Sequence, residues 1–190
     1  AYSVTITDTS VVASALNTLD GKTTVAVNAA AITTLTGLAA DANIAYASDG
    51  ISGLGNEAVT ISDTSLEATV LNTLDSNTTG VVNVTSISTL TGLTSDINTA
   101  YSNNTGSGVI VSQAGTILGL GNEAVTISDT SLAVAGLNTL DGNTTGVVNA
   151  ATVTTLTGGA AALNTAYASN GISGLGDEAV TISDTSLASS

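Results

Sequence analysis

The chain has 190 residues, with 15 acidic side chains against one basic one, Lys22, and a formal net charge of −14. It contains no Cys, His, Pro, Met, Trp or Phe. That excludes disulfides, thiol and imidazole metal sites and catalytic triads built on His or Cys, and the charge sets the chain against nucleic acid and anionic membrane surfaces.

The chain opens on SVTITDTSV at 3–11, and fuller copies of this word return throughout. The stretch 59–113 shows one period in order. From Ala58 to Ser62, apolar and polar residues alternate and are rich in β-branched types, which predicts a strand. Asp63-Thr64-Ser65 forms a helix N-cap cluster, and Thr64 with Glu67 fits a capping box. Leu66, Val70, Leu71 and Leu74 then recur at helical spacing. The helix is expected to end near Asp75, where Asn77 and Gly80 supply turn chemistry. A second extended run starts at Gly80 and is expected to reach Leu90, followed by a second cap at Thr91-Gly92. Asp96, Ile97, Ala100 and Tyr101 fit a second short helix, and its third copy, GGAAALNTAYAS at 158–169, is Ala-rich and helix-forming. Gly50, Gly53 and Gly55 demand a turn before the next strand.

The periods are regular. The VTI word starts at Val4, Val59, Val125 and Val180, in steps of 55, 66 and 55. Tyr46, Tyr101 and Tyr167 keep the same steps of 55 and 66. The long step comes from 11 extra residues between Tyr101 and Gly119, and 55 and 66 are five and six elevens. An insertion that keeps a sub-period is the mark of stacked units, in which a length change must preserve the stacking position. The expected fold is therefore an α/β repeat solenoid built from strand–helix coils of about 22 residues. The repeats would be residues 1–58, 59–124 with the 11-residue insertion, 125–179, and the start of a fourth at 180–190. Two alternatives stay open. One is an all-β solenoid, with LNTLD and TLTG as short strands and Asn residues stacked in bends. The other is a row of 55-residue domains with one inserted loop.

The apolar residues are mostly Ala, Val, Leu and Ile, which suits a thin core covered by neighbouring layers. Mean hydropathy is +0.43, yet Thr, Ser, Asn and Asp interrupt every apolar run, so no transmembrane helix is predicted. No signal-peptide pattern opens the chain.

GLGNEAVTISDTSL, followed by LNTLDGNTTGVVNAATVTTLTG, resembles the Ser/Thr/Ala-rich tandem repeats of very large secreted bacterial surface-layer-like or adhesin-like proteins. The resemblance covers nearly the whole chain. It implies an extracellular structural or adhesive role and calcium binding, although the nine-residue GGxGxD calcium repeat of many such proteins is absent here.

No residue set points to catalysis, so no enzyme is expected. Oxygen ligands remain. Asn56, Glu57 and Asp63, copied as Asn122, Glu123 and Asp129 and as Asp177, Glu178 and Asp184, form a candidate metal set for calcium bridging between layers. The competing reading makes each Asp a helix N-cap and each Glu a solvated edge. A second candidate, Asp75-x-Asn77-x-Thr79-Gly80 with its copy at Asp141, echoes the start of a calcium loop, but the first copy has Lys22 and Val25 where Asn and Gly belong. The three Tyr are expected to anchor in the core with their hydroxyls at the surface. The expected function is an extracellular structural module of a surface layer, fibre or adhesin stalk that associates end to end with copies of itself, without nucleic acid or membrane insertion. The alternative is a module that binds glycan or ice through Thr-rich faces such as Thr33, Thr34 and Thr36. Both ends, including Leu187, Ala188, Ser189 and Ser190, read as uncapped.

Overall fold

The computed structural model describes residues 3–105 and 116–185. The first strands and helices are β1 (Val4–Thr5), β2 (Ser10–Val12), α1 (Ala13–Asp20), β3 (Val27–Asn28), β4 (Thr34–Gly37) and α2 (Ala39–Ala47). Next come β5 (Ile51–Ser52), β6 (Ala58–Ile61), β7 (Ser65–Glu67), α3 (Ala68–Asn77), β8 (Val81–Asn83), β9 (Thr89–Gly92) and α4 (Thr94–Ser102). The last group is β10 (Thr116–Leu118), β11 (Ala124–Ile127), β12 (Ser131–Ala133), α5 (Val134–Asn143), β13 (Val148–Asn149), β14 (Thr155–Gly158), α6 (Ala160–Ala168), β15 (Ile172–Ser173) and β16 (Ala179–Ile182).

The protein is thus α/β, and all strand pairs among the described residues are parallel. The sheets run β1-β3-β5, β2-β4-β6-β8-β10, β7-β9-β11-β13-β15 and β12-β14-β16. Two strands precede α1, α2, α4 and α6, whereas three precede α3 and α5. In each three-strand stretch the first strand closes one sheet, the second continues another, and the third opens a new one. A 55-residue repeat therefore joins one two-strand and one three-strand stretch, and the sheets step sideways while the helices pack in one row from α1 to α6.

Partner residues on neighbouring strands stand 23 or 24 apart, as in Val4↔Val27 and Thr34↔Ala58, rather than the expected 22. The extra residues do not add a strand or helix to the described part. They fall between α4 and β10, widening two steps, so that Val81 pairs with Thr116 and Thr89 with Ala124, while β8 keeps the neighbour its copy β3 has. Most of that segment, 106–115, lies outside the described residues, as do Leu187, Ala188, Ser189 and Ser190.

LNTLD is helical in all three copies, against the all-β alternative, while TLTG forms strands β4, β9 and β14. The helix expected from the capping box starts later, at Ala68, and no side chain caps it from its own N-cap residue, Glu67. Ser65–Glu67 is drawn out as β7 because Leu66 pairs beside Leu90 to open a sheet. Long-range pairing here overrides a local cap signal. The extended run from Gly80 likewise breaks into β8 and β9, with Asn83 Oδ1 accepting the Thr85 N–H at 3.1 Å in the intervening turn.

The inner strands and the helices bury one apolar face each. Val59, Ile61, Leu71, Leu90 and Ile97 are all buried. The helices are short, at 8 to 10 residues, and carry Thr, Asn and Gly, so they would not persist alone. Apolar packing is joined by a recurrent asparagine contact in every helix pair. The Nδ2 of Asn17 donates to the Asp41 carbonyl at 2.9 Å, Asn43 to Val70 at 3.0 Å, and Asn72 to Asp96 at 2.9 Å. Asn98 donates to Gly136 at 3.0 Å and Asn138 to Ala162 at 2.9 Å. Every acceptor is the third residue of the next helix, whose carbonyl thereby gains a second donor.

Asn98→Ala removes the donor to Gly136 and the acceptor for Asn143, whose amide lies 3.2 Å away. The expected cost is about 1–3 kcal/mol, or a fall of roughly 2–12 °C in the melting midpoint followed by circular dichroism. Asn164→Ala, at the equivalent but exposed place in α6, should leave the midpoint of dilute protein nearly unchanged.

Candidate functional site

The glycine-rich turn at Gly53–Glu57 and its two copies gather most of the candidate residues. Gly55 has φ +137°, and its counterparts Gly121 and Gly176 have +133° and +132°, a region that side chains other than glycine's rarely enter. This bend turns the Glu side chain back over its own loop. Glu57 Oε2 accepts the Gly55 N–H at 2.8 Å, Glu123 accepts Gly121 at 2.9 Å, and Glu178 accepts Gly176 at 2.8 Å. The last turn of the preceding helix supplies a further donor. The Tyr46 hydroxyl reaches Glu57 at 3.0 Å, and Tyr101 and Tyr167 donate to Glu123 and Glu178.

Two of the three carboxylates are inside the protein: Glu57 is 0% exposed and Glu123 1%. The solvated-edge reading therefore fails for Glu57 and Glu123 and holds only in part for Glu178, which is half-buried. The Tyr hydroxyls also face these carboxylates rather than the expected surface. Burial, above all, pushes the Tyr46 and Tyr101 hydroxyls above their ordinary pKa of 10, and the carboxylate beside each adds to this. At the exposed copy, the hydrogen bond to Glu178 leads, and Tyr167 rises to about 12. Burial alone would raise Glu178, but donors from Tyr167 and the loop N–H groups outweigh it and hold the carboxyl below its ordinary range.

The next layer closes over the turn. Thr78 Oγ1 donates to the Glu57 carbonyl at 2.7 Å, and Thr144 to that of Glu123 at 2.9 Å. A Cβ on Gly80 would stand 2.2 Å from the Glu57 oxygen, and one on Gly146 2.1 Å from the Glu123 oxygen, so only glycine passes there. Val25 takes this place in the first copy, where the counterpart of Glu57 is residue 2, outside the described residues. The glycine that seemed to belong to a calcium loop thus answers to backbone clearance.

The Asp members go elsewhere. Asp63 Oδ2 accepts the Ala39 N–H at 2.8 Å and Asp184 accepts that of Ala160 at 2.6 Å. Asp129 accepts both the N–H of Thr94 at 2.7 Å and its hydroxyl at 2.8 Å. Each Asp caps a helix, as one of the two sequence readings has it. The helix is that of the preceding layer, α2, α4 or α6, not the one that follows in the chain. A carboxylate at a helix N-terminus satisfies an orphan donor and suits the dipole.

The candidate triplets therefore do not converge. In each, the Glu faces its own turn and the Asp reaches a neighbouring helix. Asn56, Asn122 and Asp177 make no side-chain hydrogen bond among the described residues, where no three acidic side chains form a ligand group. The second candidate also diverges. Asp75 accepts the Asn103 amide at 2.9 Å, Asn77 donates to Asn43 at 3.1 Å, and the Thr79 hydroxyl turns to the Gly55 carbonyl. Burial raises the Asp75 carboxyl to about 6, against the pull of Asn103.

Sequence reasoning placed Tyr and Glu in separate roles and missed that they pair. The signal lay in their spacing: 11 residues at Tyr46–Glu57 and Tyr167–Glu178, and 22 at Tyr101–Glu123, where the insertion intervenes. The helix-row asparagines were missed as well, although all six helices carry one at the same place.

No family model matches the chain, and no curated protein or solved structure matches it either.

Tyr101→Phe should cost about 1.5–3 kcal/mol near neutral pH by depriving the buried Glu123 of a donor, with a smaller loss for Tyr167→Phe at the exposed copy. Because the folded Tyr101 pKa is raised above 10, its contribution is whole below pH 10 and declines as pH climbs further. Denaturant titrations should therefore show the gap between parent and Tyr101→Phe narrowing above pH 10. Melts with millimolar calcium and with chelator should share one midpoint, since the Glu of each triplet faces its own turn while the Asp reaches a neighbouring helix; a rise with calcium would restore the metal reading.

Proposed function

We propose that the chain is a solenoid segment serving as a structural module of an extracellular surface layer, fibre or adhesin stalk, with units continuing end to end from one copy to the next. The observation that carries this reading is the asparagine contact repeated along the helix row from α1 to α6. Such a contact lets one layer specify the position of the next and needs nothing from outside. The resemblance to secreted bacterial surface repeats points the same way. So do the acidity and the lack of Cys, His and aromatic clusters that would suit a non-catalytic role in contact with solvent. No described helix is long and apolar enough to cross a membrane.

The glycan or ice reading has less support. The Thr33 hydroxyl donates to the Thr9 carbonyl at 3.1 Å and the Thr36 hydroxyl to Val11 at 3.4 Å. Their donors are directed along the sheet rather than outward to a ligand.

Light scattering and electron microscopy of the chain at rising concentration test the proposal, with a glycan array and an ice-recrystallisation assay run beside them. Concentration-dependent filaments, with both binding assays blank, are expected. A strictly monomeric particle with specific glycan or ice binding would replace this reading with the second.

A further inference from the structure

Asn72 and Asp75 lie three apart in α3, which makes them neighbours on one face of the helix, each side chain leaning back over the turn before it. Both face α4. The Asn72 amide donates to the Asp96 carbonyl at 2.9 Å, and Asp75 Oδ2 accepts the Asn103 amide at 2.9 Å. Each keeps one oxygen, Asn72 Oδ1 and Asp75 Oδ1, buried and without a hydrogen-bond partner. Two acceptors on one helix face thus lack a donor. Asp75 is 3% exposed and sits in the last turn of α3, the negative end of the helix dipole, where no basic residue stands.

The copies of this pair are built differently. Asp20 and Asp141 are half-buried, and each takes a hydroxyl, from Ser48 and Ser169, at 2.7 Å. The turn that follows presses on them at Gly50 and Gly171, where a Cβ would stand 2.0 and 2.1 Å from an Asp oxygen. In the second copy Asn103 takes the place of the serine, and Asn104 bridges to Ile117 at the start of the lengthened step. Among the described residues, only α3 holds two such unpartnered oxygens.

No charge stands in for the missing donor. The elements packed on α3 are α2, α4, β7 and β9. Asp41 and Asp96 lie in the first turns of α2 and α4, away from the last turn that holds Asp75, and Glu67 precedes the start of α3. Tyr46 and Tyr101 donate to Glu57 and Glu123. β9 carries no ionisable side chain, nor does the sequence from Asn103 to Thr116.

We propose that Asp75 and Asn72 form a proton-operated joint between α3 and α4. In mild acid the Asp75 carboxyl takes one proton from solvent and donates the Oδ1–H to Asn72 Oδ1; on deprotonation both oxygens become unpartnered acceptors again. The joint tightens in acid and loosens toward alkaline pH, beside the one step at which the repeat is lengthened. It lies within one copy and acts whether or not copies assemble. Burial raises the Asp75 carboxyl from 3.8 to about 6, in the direction this requires. A carboxyl whose pKa is higher in the folded chain than in the unfolded one binds more protons when folded. Its contribution therefore grows as pH falls through 6 and is complete below about 3.8.

Carbon-13 spectra of the full chain between pH 8 and pH 4 test the joint. The Asp75 carboxyl carbon is expected to titrate with a midpoint near 6, and the Asn72 carboxamide carbon to move with the same midpoint. Asp75→Asn identifies the first signal. It also carries a permanent donor for Asn72 and an acceptor for Asn103. In denaturant titrations Asp75→Asn should be more stable than the parent at pH 8, with the difference closing as pH falls from 6 to 4. In an Asn72→Ala background that gain should shrink, because the new donor has lost its acceptor. An Asp75 midpoint near 4, or an Asn72 carbon that stays still while Asp75 titrates, overturns the proposal on the parent chain alone. An equal gain from Asp75→Asn with and without Asn72 also overturns it and assigns the raised carboxyl to burial.

Discussion

The architecture depends on a single amide that crosses from each helix to the next. Leu and Ala packing draws the helices together but is non-directional, and small side chains allow neighbouring helices to slide. The asparagine removes that freedom, because its Nδ2 finds the carbonyl of the third residue of the following helix and no other. The oxygen is treated differently in alternate helices. Asn43 and Asn98 accept from Asn77 and Asn143, whereas the oxygens of Asn17 and Asn72 are buried without a partner. An unpaired buried carbonyl is costly, which implies that fixing helix against helix is worth more than the lost acceptor bond.

The amide also accounts for a mismatch between two lengths. Outside the insertion, strand partners repeat every 23 or 24 residues, while the sequence repeats every 55. The difference is absorbed by an extra strand before α3 and α5. Each sheet is therefore displaced along the chain, and the two middle sheets have five strands each. The helix row runs on unbroken through these changes. The Tyr–Glu pairs span the strands that close a sheet, with the Tyr before and the Glu after β5, β10 and β15. There the polar groups of a turn would otherwise be left under the next layer.

Much of this could be read from the sequence. Alternation at Ala58–Ile61 and helical spacing at Leu71 and Leu74 put strand and helix in the right order, because both segments bury one face. The Asp63 cap could be foreseen as a cap but not as one directed backward, since a side chain's partner 24 residues away is set by stacking rather than by neighbours in the chain. Thr64 and Glu67 misled for the same reason: the capping box is local, and the pairing of Leu66 beside Leu90 is not. The members of each candidate metal triplet have different partners. Six residues separate Glu57 from Asp63, and strand β6 between them sends one carboxylate into the turn and the other across to α2.

The remaining polar side chains complete the physical picture. Thr18, Thr73, Thr99, Thr139 and Thr165 return their hydroxyls to carbonyls four residues back in their own helices. Thr91 and Thr157 reach neighbouring strands instead. A chain without Phe, Trp or Met cannot specify its layers by large interlocking shapes. It does so with directed hydrogen bonds from small side chains, which fit a thin core and recur identically in each layer. Position along the stack is thereby set by direction, where a bulkier core would set it by shape.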